Sequence, residues 1–130
     1  MQKEEFLNKV RDYGGLDSED EALQMTEIFL ATLGEWLYRT EARKLGAQLP
    51  KEFQDLLFKE QEPETTRAET VSYPLEEFYI RIKARADISF SEGVRIAKAV
   101  AQVLEEAVSP GEMKDVLQKL PDDFKELFSG

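Results

Sequence analysis

Gln48-Leu49-Pro50-Lys51-Glu52-Phe53-Gln54-Asp55-Leu56-Leu57-Phe58 returns near the C-terminus as Lys119-Leu120-Pro121-Asp122-Asp123-Phe124-Lys125-Glu126-Leu127-Phe128. In both stretches a Leu-Pro pair precedes an acidic residue and a Phe, with apolar residues three and four positions beyond the Phe. That spacing lines one face of a short helix. The motif residues Leu49, Pro50, Phe53 and Leu56, with Leu120, Pro121, Phe124 and Leu127, are therefore expected to start a closing helix and anchor it in a core.

The two Leu-Pro pairs lie 71 residues apart, and the same offset places Phe29 on Val100, Leu33 on Leu104, Leu37 on Val108 and Glu41 on Glu112 without a gap. Ahead of them an offset of 72 places Glu4-Glu5-Phe6 on Glu76-Glu77-Phe78 and Val10 on Ile82, so one residue is lost in a turn, where loops tolerate it. The expectation is an all-α fold of two homologous repeats, each of about four helices with the last two short. The repeats are residues 1–58 and 73–130, packed together about a pseudo-twofold. Between them, 59–72 carries four acidic residues against two basic ones and a single large apolar residue, Val71, which suits a linker.

Local signals set the expected boundaries. Gly14-Gly15 closes a first helix over about 4–13. Asp17 or Ser18 caps a second, which the stripe Met25, Phe29, Leu33, Trp36 extends to about Arg39. A third helix is expected from Glu41 to about Ala47, and Pro50 is expected at the first helical position of a fourth. In the second half, Ile80 to Ala86 alternates apolar and polar like a strand, but its counterpart Leu7–Tyr13 does not, and Tyr73-Pro74 offers a helix start. A helix is expected there too. Ser89-Phe90-Ser91-Glu92 and Ser109-Pro110-Gly111-Glu112 both read as capping boxes.

With 130 residues and 42% hydrophobic content, the chain can bury a core without a staple, and with no cysteine there is no disulfide framework or thiolate site. Met1 to Phe6 lacks an apolar signal core, and the longest nearly uncharged run, Ile28 to Gly34, is too short to span a bilayer. A cytoplasmic location follows as the expectation. The net charge is −10, with acidic excess in both halves and the linker. Such a field repels phosphate backbones and anionic lipid, so neither nucleic acid nor membrane is an expected partner, whereas a basic protein would be attracted.

These features resemble the bacterial domain-of-unknown-function family 2267. The resemblance rests on Glu5-Phe6 and Glu77-Phe78, Ala47-Gln48-Leu49-Pro50, Lys119-Leu120-Pro121, and the helix ends Leu56-Leu57-Phe58 and Leu127-Phe128. It implies an all-helical tandem-repeat fold and brings no catalytic residue with it.

Histidine is absent, which removes Ser-His-Asp and Cys-His nucleophiles, His-ligated metals and Glu-x-x-His di-iron pairs. Asp17, Glu19 and Glu21 match the first, third and fifth places of a calcium loop, but Ala22 and Ile28 stand where its glycine and closing glutamate belong. No catalytic, cofactor-binding or metal residues are expected. Glu5 with Glu77, and Glu41 with Glu112, occupy matched positions that could form acid pairs, but helix capping and solvation are the favoured explanation, since acids in first turns are expected on dipole grounds alone. The local basic residues are Arg81, Lys83 and Arg85, with Arg39, Arg43 and Lys44 in the other half; they could grip an acidic partner or a phosphate, but on an acidic protein the favoured expectation is a solvated, ion-paired face, for example Arg39 with Glu35. Trp36 is a core candidate that would become a partner anchor if exposed. The expected role is a non-enzymatic interaction module for a protein partner or a second copy of the chain; the alternative is a small-ligand binder or carboxylate enzyme with a pocket between the repeats.

Overall fold

Two glycines stop the first helix where the sequence marks it. In the computed structural model, which describes residues 1–60 and 72–128, α1 spans Lys3–Gly14 and Gly15 caps it in the left-handed conformation, φ 64° and ψ 38°. Ser18 caps α2 (Glu19–Gly34), its Oγ accepting the Glu21 N–H at 3.1 Å while three acids fill the first turn. α3 (Arg39–Gly46) begins where the Tyr38 N–H donates to Glu41 Oε1 at 2.9 Å. An eight-residue 3₁₀ helix, Lys51–Phe58, closes the first half.

The second half continues with α4 (Pro74–Ala86), α5 (Phe90–Ala107) and α6 (Pro110–Lys119), then a 3₁₀ turn Asp122–Phe124 leading into α7 (Lys125–Phe128). The described residues contain helices and no strand, so the fold is all-α and 80–86 are helical despite their alternation. The alternation reflects the helix surface: Phe78 and Ile82 turn inward while Ile80 is 42% exposed. Of the expected linker, 61–71 lie outside the described residues.

Three local expectations are corrected. α2 ends at Gly34 rather than near Arg39, and Glu35, Trp36 and Leu37 form a tight turn through i to i+3 bonds, at 3.1, 3.0 and 3.2 Å, that buries Trp36 and Leu37. That turn answers a tertiary demand, since Gly34 lies against the backbone of the 3₁₀ helix. Pro50 and Pro121 sit one position earlier than expected, as extended N-cap residues with φ near −50°. Among the described residues only Pro74 and Pro110 start their helices from within. Finally, Ser109 Oγ accepts the Glu112 N–H at 3.3 Å, but the Ser109 N–H donates to Gln48 Oε1 at 2.7 Å instead of to Glu112, so a side chain from the first half completes the cap.

One hydrophobic cluster contains residues from both ends of the chain. Phe6 meets Phe53 edge-on with centroids 5.3 Å apart and planes at 67°, and Phe78 meets Phe124 edge-on at 5.4 Å and 64°. The offsets read from the sequence relate the members of these two pairs. Trp36 joins the halves, lying 5.7 Å from Phe78 and 5.6 Å from Phe124, while Phe29 adds an edge contact to Phe78. Leu49, Phe53, Leu120, Phe124 and Leu127 are all buried and Leu56 is partly buried, so the opening motif is core. Each large side chain so buried contributes about 1.5–3 kcal/mol by area alone.

Candidate functional site: an aromatic and acidic groove on the second half

Helix starts place the groove. Pro74 begins α4, which leaves Tyr73 outside the helix and 72% exposed; the Ser89 capping box begins α5 and sets Phe90 in its first turn, 42% exposed. Between these two rings lie Leu75, Glu76 and Tyr79 from α4 and Val94 from α5, with Asp123 and Glu126 from the closing 3₁₀ turn and α7. Together they line an open groove of about 470 Å³. A smaller indentation of about 150 Å³ shares Tyr73 and Glu76 and adds Ser72, Glu77 and Ile80.

The lining of the groove is both aromatic and acidic. Tyr79 is buried and meets Phe90 edge-on at 6.1 Å. Burial pushes the Tyr79 phenol above its ordinary value, and the Glu126 and Asp123 charges add to that shift. α4 has no side-chain N-cap of its own, and Asp123 supplies a substitute: its Oδ2 accepts the Leu75 N–H at 3.0 Å. Its Oδ1 is buried and has no hydrogen-bond partner among the described residues.

The residues singled out in the sequence are placed elsewhere. Trp36 is 1% exposed, so it is a core ring, with the Arg81 guanidinium 4.8 Å from its centroid. Arg81 also pairs with Glu77 at 2.8 Å and Glu35 at 3.3 Å, and Arg85 grips Glu35 through two bonds, at 2.7 and 3.2 Å, and Thr32 Oγ1 at 2.8 Å. Glu35 is thus bound by α4 rather than by Arg39, whose guanidinium lies 5.9 Å from the Phe58 ring. Lys83 is exposed on the same helix. Glu5 and Glu77 each pair with a cation one turn along their own helix, Lys9 at 3.8 Å and Arg81 at 2.8 Å, and Glu41 caps α3. Among the described residues no three acidic side chains form a metal-binding group.

Tyr73, Tyr79, Phe90 and Asp123 were not singled out from the sequence, yet a signal for them is there. Under the same offsets Tyr73 falls on Met1, Tyr79 on Leu7 and Phe90 on Glu19, so the groove's aromatics have no aromatic counterparts in the first half.

Among the described residues, no helix is long and apolar enough to cross a membrane. The model of a family described as an uncharacterized conserved protein, DUF2267, matches residues 3–127. No curated protein matches the chain.

Proposed function

We propose, from the premise that this chain belongs to the DUF2267 family, that it is a non-enzymatic cytoplasmic interaction module whose groove between α4, α5 and α7 docks a partner protein. The observation that carries this is that exposed Tyr73 and exposed Phe90 both line one groove together with buried Leu75 and Tyr79, since large aromatics beside a pocket are what protein interfaces use as anchors. The first half supports this role by holding the groove's scaffold: Trp36 and Phe29 pack against Phe78, one turn from Leu75 on α4. The two-repeat organisation, with the second copy specialised for binding, agrees with the matched aromatic pairs. The net charge of −10 favours a basic partner.

Photo-crosslinking in living cells tests this. A benzophenone amino acid replaces Tyr73 or Phe90 in turn, with exposed Lys44 on α3 as the control position. One protein captured at both groove positions and not at Lys44, and binding the purified chain at least tenfold more weakly after Phe90→Ala, is the expected result. Equal capture at all three positions, or none at any, overturns it; capture of a second copy of the chain instead assigns the groove to self-association.

A further inference from the structure

Resting on that docking role, the groove's chemistry goes further and names what it reads. Aromatic faces and carboxylates converge on one space, and that combination suits a cation: a π-face attracts an ammonium or guanidinium, and a carboxylate hydrogen-bonds it. The aromatics are Tyr73, Tyr79 and Phe90, and the carboxylates are Glu76, Asp123 and Glu126. Among the described residues no basic side chain lines this groove, whereas another surface pocket, between α2 and the end of α4, has Lys59 and Arg85 beside its acids.

Asp123 adds a second, independent observation. One carboxylate oxygen is used to cap α4, and the other is buried with nothing to accept from. Among the described residues that carboxylate is met by one backbone N–H, and a cation held in the groove adds a charge attraction it otherwise lacks. Glu35 shows how this chain treats a carboxylate beside basic side chains elsewhere, with Arg81 and Arg85 both bonded to it. Among the described residues no ion pair joins Asp123 to a cation.

We propose that the groove receives a single lysine or arginine side chain of the partner, its stem lying along Tyr79 and Phe90 and its charged head held by the carboxylates that line the groove, Glu76, Asp123 and Glu126. Apolar residues flanking that cation would cover Leu75 and Val94. Specificity then comes from the charge pairing inside the groove, and the wider acidic surface contributes mainly to the rate of encounter.

The test uses the full chain, ¹⁵N-labelled, titrated with three blocked tripeptides: Leu-Lys-Leu, Leu-norleucine-Leu and Leu-Glu-Leu. The expected result is saturable amide shifts at Leu75, Tyr79, Phe90 and Val94 with the lysine peptide, at least tenfold weaker binding of the norleucine peptide, and none of the glutamate peptide. Asp123→Asn keeps an acceptor for the Leu75 N–H but removes the charge, and lowers the lysine peptide to the norleucine level. Phe90→Ala, at an exposed ring, gives a second route to the same loss should Asp123→Asn disturb α4. Equal binding of lysine and norleucine peptides at the groove overturns the cation pocket while leaving the docking role standing. Shifts outside the groove alone, or none with any peptide, overturn both.

Discussion

The α carbon of Gly34 sits so close to the Leu57 carbonyl that a β-carbon built on it falls 1.8 Å from that oxygen. The end of α2 and the 3₁₀ helix are thus in backbone contact, and only glycine allows it. Gly34→Ala must push the two apart and is expected to cost about 3 kcal/mol or more, at the upper end for overpacking. Gly111, on the first turn of α6, meets nothing within 4 Å of its built β-carbon. Gly111→Ala is expected to stabilise by about 0.4–1 kcal/mol through the unfolded chain. Urea unfolding of both variants checks the contrast.

The Trp36–Phe124 contact, at 5.6 Å, links the turn after α2 to the closing 3₁₀ turn. Phe124→Ala is expected to destabilise by about 3–5 kcal/mol. Because the chain has one Trp, its fluorescence reports this contact directly. Trp36 emission and far-ultraviolet circular dichroism should follow a single coincident transition in urea, as a shared core requires; two separated transitions would mean the halves unfold independently.

Lys9 and Tyr13 of α1 both donate to Glu106 of α5, at 2.6 and 2.8 Å. These bonds hold the Glu106 carboxyl below its ordinary range and, with the Glu106 charge, raise Lys9 above its own. A carboxyl lowered in the fold contributes stability that is full above the ordinary value of roughly 4.3 and is lost as the pH falls through the lowered one. For Lys9 the contribution is full below the ordinary value of roughly 10.4 and is lost as the pH rises through the raised one. The stability difference between the native chain and Glu106→Gln should therefore be level from pH 6 to 9 and shrink below about pH 4. Denaturant titrations across that range would show it; a difference that grows on acidification would contradict the network.

Much of the fold was legible because core positions recur. Phe6, Phe53, Phe78 and Phe124 were marked by offset and spacing, and all four are fully buried. The caps Ser18 and Ser89 and the stop at Gly14-Gly15 were local chemistry and needed no tertiary knowledge, whereas the Ser109 cap is completed by Gln48 from the other half. The early end of α2 was not legible, since periodicity carries on through Trp36 and only the Gly34–Leu57 approach breaks it. Nor was the helix type of Lys51–Phe58, whose spacing reads as an α-helical face. The groove was hidden for a different reason: four separate elements build it, and repeat matching directs attention to what is shared whereas Tyr73 and Phe90 are what differs.

Residues 1–58 alone, followed by circular dichroism on heating, test the central claim that both halves share one core around Trp36, Phe78 and Phe124. Without α4 and the closing turn, Trp36 and Phe29 lose their aromatic neighbours Phe78 and Phe124. The fragment is expected to be largely unfolded, or to melt far below the full chain. A fragment that is helical and melts at the same temperature as the full chain would contradict the shared core.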